Sequence, residues 1–136
     1  MRRTSSAILA VVLSLVLGLA AAPPAAANGI CSVTANVPLR SGGQITYKAK
    51  MSCSPTLHQF VYAEASLQRR SPLGSWTEVE YTANSAYNVT SVTATDGYPW
   101  LCAKDYRVVG GGVAKDYTGG GVHTDTDNSG ILFHTC

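Results

Sequence analysis

The sequence predicts an all-β domain, folded as a two-sheet antiparallel sandwich of about seven strands. Three observations support this prediction. Short runs that alternate apolar and polar residues recur along the chain after its first 27 residues. Turn signals separate these runs, and none of this region shows a useful stretch of the apolar period of 3.6 that marks a helix. Seven short strands at such spacing are typical of a sandwich.

The second strand is the clearest. Ile45, Tyr47, Ala49 and Met51 alternate with polar neighbours, which predicts that one face of this strand is buried. The same alternation, or a run rich in β-branched residues, marks the other strands. The expected strands span residues 31–38, 44–53, 59–68, 76–82, 86–95, 100–109 and 130–135.

Residues 1–27 have the features of a secretory signal peptide. Arg2 and Arg3 supply a positive start, residues 7–22 form an apolar run, and a small-residue cleavage site follows. The apolar run is short for a membrane span. We therefore expect a secreted, extracellular protein in which residues 28–136 fold as one domain, with no membrane association after cleavage.

The charge of the exported region argues against some classes of partner. The chain has ten Lys and Arg against eight Asp and Glu, and two of the ten are Arg2 and Arg3. Without them the two kinds balance at eight each. Because proteins that bind nucleic acids or anionic membranes carry a basic patch or stripe, we expect no nucleic-acid partner.

All four cysteines lie in the exported region, where an even number in an oxidising compartment predicts two disulfides. They are Cys31, Cys53, Cys102 and Cys136. Gly42 lies midway between the first two and Gly119 midway between the last two. Each pair would thus face across a hairpin that turns at a glycine cluster, which favours Cys31–Cys53 with Cys102–Cys136. The main alternative joins Cys53 to Cys102 between the sheets and Cys31 to Cys136.

No pattern for a metal or cofactor is apparent. The chain has no Cys-x-x-Cys, and no histidine stands at ligand spacing from a cysteine. Asp125 to Gly130 has the acidic spacing of a calcium loop, but Cys136 stands where that loop needs a glutamate. We therefore expect a polar turn at Asp125 to Gly130, with no metal and no cofactor.

Catalytic residues are not expected either. The three histidines, His58, His123 and His134, are scattered along the sequence. No motif presents a nucleophile beside a base, and bridged cysteines leave no thiol. The sequence therefore predicts a protein that is not an enzyme.

One hairpin tip is a candidate contact loop. It comprises Arg69, Arg70, Ser71, Pro72, Leu73 and Gly74. Its proline and final glycine match a type I turn. Polar tips are usually plain solvated turns, but the stiffness of the proline would lower the entropy cost of docking to a partner or to a trypsin-like protease.

The chain contains one internal repeat, because the sequence Ala-Lys-Asp-Tyr occurs at residues 103–106 and again at 114–117. Each copy leads into a glycine-rich run that ends in valine. A local duplication that lengthened a hairpin explains the repeat. We expect residues 110–130 to form a long, flexible loop, a kind of segment that often carries binding.

Taken together, the exported region resembles the small secreted immunoglobulin-like β-sandwich proteins of high-GC Gram-positive bacteria. The resemblance rests on Cys31 and Cys53 around the first hairpin, the strand end Ser66-Leu67-Gln68-Arg69-Arg70, Trp76, Tyr106-Arg107 and the terminal strand with Cys136. It implies an immunoglobulin-like fold and no known active site.

We expect a non-catalytic protein-binding module, as an accessory or adaptor subunit of a larger exported assembly such as a toxin or antagonism particle. Its partner would be another secreted protein, and open sheet edges could accept or donate a strand. One alternative is a protease inhibitor that uses the loop Arg69–Gly74. Another is a glycan or small-ligand binder that stacks its ligand on Tyr62, Trp76, Tyr98 and Trp100.

Overall fold

A computed structural model describes residues 30–54, 58–117 and 121–133. These ranges form strands and loops, and none of them contains a helix of the length and apolarity needed to cross a membrane. The expected signal peptide, residues 1–27, lies outside them. The strands are β1 (Ile30–Ala35), β2 (Leu39–Ser41), β3 (Gln44–Ser54), β4 (His58–Arg70), β5 (Trp76–Val89), β6 (Ser91–Pro99), β7 (Tyr106–Lys115) and β8 (Val122–Asn128).

The strands form two antiparallel sheets, as the sequence predicted. In the first sheet, β3 is central, with β1 and β2 along one side and β6 along the other. The second sheet has the order β5-β4-β7-β8. Gly42 at the β2–β3 turn has a φ of 59°, a conformation that glycine adopts without a steric penalty.

The core lies between the two sheets. The predicted alternation on β3 is confirmed, because Ile45, Tyr47, Ala49 and Met51 are all fully buried. Strand β4 buries its own alternate set from the opposite sheet, and Tyr106 adds the second large ring. The β4 residues are Val61, Ala63, Ala65 and Leu67.

The expectation of a flexible loop over residues 110–130 is wrong, because β7 and β8 occupy most of that range. Gly110, Gly111 and Gly112 lie inside β7, and side chains of the first sheet contact the backbone at Gly110 and Gly112. A Cβ at Gly110 would lie 2.8 Å from Cβ of Ala49, and one at Gly112 would lie 2.8 Å from Sδ of Met51. The glycines therefore permit close sheet packing.

The disulfide Cys31–Cys53 is confirmed, and the two residues are direct partners in the β1–β3 register. The alternative pairing of these cysteines with Cys102 and Cys136 is therefore wrong. The pair Cys102–Cys136 stays a prediction because Cys136 lies outside the described residues.

Several strand boundaries differ from the prediction. Strand β5 runs unbroken through residues 76–89, where we expected two strands separated near residue 84. The apolar alternation expected over residues 76–82 does not mark a buried face, because most residues of β5 are exposed. The chain turns at Asn88, whose φ is 59°. Strand β7 begins at Tyr106 rather than at residue 100, and the described part of the final segment contributes a single bridge, from Leu132 to Tyr106.

Side-chain hydrogen bonds connect the two sheets along both of their edges. Oδ2 of Asp125 accepts a hydrogen bond of 2.7 Å from the amide of Val33, and Oδ2 of Asp127 one of 2.9 Å from the amide of Ala35. At the other edge, between β5 and β6, Nδ2 of Asn84 donates to the carbonyl of Thr93 at 3.1 Å. The expected polar turn at Asp125 is therefore wrong, because both aspartates belong to β8 and cap the outer amides of β1.

Candidate binding face

The outer faces of the two sheets differ in chemistry. On the first sheet, every outward position of β3 carries a polar or charged side chain. The outward positions near the centre of β6 carry Thr93 and Thr95. The outward β3 residues are Gln44, Thr46, Lys48, Lys50 and Ser52. No aromatic side chain occupies these positions.

The second sheet presents aromatic side chains on its outer face. We call this surface the aromatic face and define it by Phe60, Tyr62, Trp76, Tyr81 and Tyr87, with Glu64, Gln68, Arg70 and Arg107 between them. The register places these residues on one side, since Phe60 pairs with Tyr87, Ser66 with Tyr81, and Arg70 with Trp76. Tyr87 is 69% exposed and Tyr81 45% exposed. The face is therefore open to a partner.

A hydrogen-bond network fixes the centre of the aromatic face. The hydroxyl groups of Tyr62 and Tyr81 lie 2.6 Å apart, and they lie 2.8 and 3.0 Å from Oε2 of Glu64, so their two hydrogens connect all three side chains. The bond to Tyr81, together with burial and the Glu64 carboxylate, raises the pKa of Tyr62 well above its usual value. Gly111 makes room for this network, since a Cβ there would lie 2.6 Å from Oε1 of Glu64.

At one end of the aromatic face, two guanidinium groups lie near the Trp76 ring. The guanidinium carbon of Arg107 is 4.5 Å from the ring centroid and that of Arg70 is 6.0 Å from it. Nε of Arg107 also donates to Oε1 of Gln68 at 2.9 Å. Cation–π contact and this hydrogen bond hold the arginine over the ring.

At the other end, the rings of Phe60 and Tyr87 pack with centroids 5.3 Å apart. Beside them, the hydroxyl of Tyr117 donates to Oδ1 of Asn88. This second aromatic cluster lies across the strands β4 and β5, so aromatic rings occupy both ends of the face as well as its hydrogen-bonded centre.

The candidate contact loop forms a tight hairpin turn between the end of β4 and the start of β5. Ser71 and Ser75 close it through backbone and hydroxyl hydrogen bonds, and Leu73 is 97% exposed at its tip. Gly74 has a φ of 90°. Arg69 and Arg70, however, belong to β4, where Arg69 pairs with residues on both neighbouring strands. A cleft of about 250 Å³ opens beside the turn, between Arg70, Ser71 and Pro72 and the segment 103–105.

The four aromatics proposed as a stacking surface do not lie together. Tyr62 and Trp76 belong to the aromatic face. Tyr98 and Trp100, by contrast, pack against the core at the end of the first sheet. There the guanidinium of Arg40 covers the Trp100 ring at 3.6 Å from its centroid.

The structure also brings together residues that the sequence keeps far apart. His58, at the start of β4, is buried, and its Nε2 lies 2.8 Å from Oδ1 of Asp116. Nε2 of His123 lies 3.2 Å from Oδ2 of the same carboxylate. Sγ of Cys31 is 3.5 Å from Nε2 of His58. We call His58, Asp116 and His123 the histidine cluster.

The internal repeat explains part of this arrangement. Its two copies bracket β7, and the aspartate of each copy contacts one end of β4. Asp105 lies 3.9 Å from Arg70, and Asp116 contacts His58. Tyr106, the first residue of β7, is buried, whereas Tyr117, beyond the end of β7, is 53% exposed.

Comparisons with protein-family models and with curated proteins find no match for this chain.

Proposed function

We propose that this chain is a secreted, non-catalytic protein-binding module that binds another secreted protein through its aromatic face. In this role it would serve as an accessory or adaptor subunit of a larger exported assembly. The observation that carries the proposal is the contrast between the two outer faces. On one face, β3 and the centre of β6 present glutamine, threonine, serine and lysine, whereas the other face holds five aromatic side chains and two arginines.

The composition of the aromatic face supports binding to a protein. Tyrosine, tryptophan and arginine are the residues that contribute most to affinity in protein interfaces. The face is a broad strand surface, whereas small-molecule sites are concave and enclose most of their ligand. A second protein is therefore the partner whose shape matches this surface.

The rigidity of the face supports the same proposal. Tyr62, Tyr81 and Glu64 lie within hydrogen-bond distance of one another before any partner arrives. Side chains that are already ordered lose less entropy on binding. Open edges contribute less than we expected, because the Asp125 and Asp127 carboxylates occupy the outer amides of β1.

An immunoglobulin-like topology is part of the proposal. The sheet order β5-β4-β7-β8 facing β1-β3-β6 would correspond to strands C′, C, F and G facing A, B and E. A disulfide in β1 and β3 is compatible with an extracellular site, where disulfides persist.

The protease-inhibitor alternative receives less support from the geometry. The two arginines of the candidate contact loop lie within β4, and the amide of Arg70 donates to the carbonyl of Asp105 at 3.0 Å. A protease that cleaves after either arginine would have to displace these strand hydrogen bonds.

The test begins with residues 28–136, immobilised and exposed to the culture medium of the producing organism. Retained proteins are identified by mass spectrometry, and the main one is purified for calorimetric titration. We expect Tyr81→Ala and Tyr87→Ala each to weaken its binding about tenfold or more, the effect of losing a hot-spot side chain.

Lys48→Ala is the matched control, because Lys48 is exposed on the outer face of the other sheet. We expect this variant to bind like the wild-type chain. Retention of no protein, or equal affinity of the two tyrosine variants and the wild type, would contradict the proposal.

A further inference from the structure

We propose that the histidine cluster binds one divalent transition-metal ion, with Zn²⁺ as the representative. The ligands are Nε2 of His58, Nε2 of His123 and the carboxylate of Asp116. This site is independent of the aromatic face, and its test does not depend on the proposed function.

The donor set matches this class of ion. Imidazole nitrogen and carboxylate oxygen are ordinary ligands of zinc and copper, and three protein donors with one open position form a common zinc arrangement. Cys31 is not counted, because its sulfur is bonded to Cys53 and only a thiolate is a good ligand.

The geometry brings the donors within reach of one ion. Each histidine directs the same ring nitrogen to a different oxygen of Asp116, at 2.8 and 3.2 Å. Donors bound at about 2.1 Å in a tetrahedral zinc site lie about 3.4 Å apart. Ring nitrogens of His58 and His123 also lie within 4.8 Å of each other, so modest shifts of these side chains would admit the ion.

A plain structural ion pair does not need this arrangement. Asp116 alone suffices to satisfy the buried Nε2 of His58. The second histidine, on the other oxygen, is not needed for that role. The centroids of the two rings are 5.7 Å apart. Convergence of both rings on one carboxylate is instead what a shared ion requires.

One ligand of the site is buried in the protein, and the other two are partly exposed to solvent. The His58 side chain is 1% exposed, whereas those of Asp116 and His123 are 24% and 15% exposed. An ion would thus enter past Asp116 and His123. Gly121 preserves the position of the carboxylate, since a Cβ there would lie 2.5 Å from Oδ2 of Asp116.

The experiment titrates the disulfide-intact chain, residues 28–136, with ZnCl₂ by calorimetry. Visible absorption during titration with Co²⁺ reports tetrahedral coordination. We expect one ion per chain, a visible Co²⁺ band, and a melting temperature that rises with Zn²⁺. His123→Gln and Asp116→Asn should each weaken Zn²⁺ binding at least tenfold.

Asp105→Asn is the matched control, because Asp105 holds the same place in the other copy of the repeat. We expect it to bind Zn²⁺ like the wild-type chain. Circular dichroism of each metal-free variant checks its fold. Absence of a Co²⁺ band and of Zn²⁺ heat in the wild type would overturn the proposal, whatever the variants do. Equal Zn²⁺ affinity of the wild type and a folded His123→Gln or Asp116→Asn would also overturn it.

Discussion

Removal of the two carboxylates that cap β1 should lower the stability of the domain and expose an edge strand that can pair with another chain. Asp125 and Asp127 lie on the inward side of β8 and accept hydrogen bonds from the amides of Val33 and Ala35. Edge strands with unpaired amides are templates for pairing with another chain. These aspartates therefore act as caps in place of a neighbouring strand.

The expected loss follows from the kind of bond. A hydrogen bond to a charged group contributes about 1.5–3 kcal/mol, and its loss leaves a partly buried amide without a partner. We expect Asp125→Ala and Asp127→Ala each to lower the free energy of unfolding by about 2 kcal/mol. The double variant should lose about 4 kcal/mol if the two bonds act independently. Small domains have about 5–15 kcal/mol in total, so this loss is large.

Urea unfolding measures the stability, and size-exclusion chromatography with light scattering measures self-association. The double variant should unfold at lower urea and form dimers or larger species as concentration rises. Thr126→Ala is the control, because Thr126 lies on the same strand but on its exposed face. A double variant as stable and as monomeric as Thr126→Ala would refute the capping role.

Four further predictions concern the core and the disulfide. Gly112→Ala places a Cβ 2.8 Å from Sδ of Met51, so this variant should lose about 2 kcal/mol of unfolding free energy in urea titrations. Gly43→Ala is the control, because a Cβ at Gly43 has no atom within 4 Å, and its unfolding free energy should change very little. Burial, followed by nearby carboxylates, raises the pKa of Tyr47 to about 12, so the folded state retains this proton longer than the unfolded chain. Stability should therefore fall as pH rises from about 10, the ordinary tyrosine pKa, towards about 12, and Tyr47→Phe should reduce that slope in unfolding titrations. The hydroxyl of Tyr47 has no hydrogen-bond partner among the described residues, so Tyr47→Phe should also raise stability at neutral pH by about 1 kcal/mol; a clear loss would show that the hydroxyl is satisfied. The Cys31–Cys53 disulfide joins residues 22 positions apart in the sequence. Replacement of both cysteines by alanine should lower the free energy of unfolding by about 3 kcal/mol. An unchanged midpoint of thermal unfolding would contradict this prediction.

Local patterns in the sequence predicted much of the fold. Alternation marks β3 because one of its faces is fully buried, and the Cys31–Cys53 register follows from symmetry about Gly42. Alternation fails for β5, which is exposed along most of its length. It also fails for β7, because glycine contributes no side chain to a pattern. Gly110 and Gly112 are required by neighbours in the opposite sheet, and Gly111 by Glu64 on the adjacent strand.

The candidate sites were harder to predict, because they depend on contacts distant in sequence. Tyr62 and Tyr81 each look like an isolated strand tyrosine until the β4–β5 register brings their hydroxyl groups together. The histidine cluster likewise joins residues from three strand ends, with no spacing that a ligand motif would show. The repeat containing Asp116 was the one local signal, and it predicted a duplicated hairpin rather than a cluster.

The most direct test of the proposed function is oxidative footprinting of residues 28–136 with and without the captured partner. The Tyr87 side chain is 69% exposed on the aromatic face, and the Leu39 side chain is 63% exposed on the first sheet. We predict that the partner protects Tyr87 from oxidation and leaves Leu39 unchanged. Protection of Leu39 with no change at Tyr87 would contradict the assignment of the aromatic face as the binding surface.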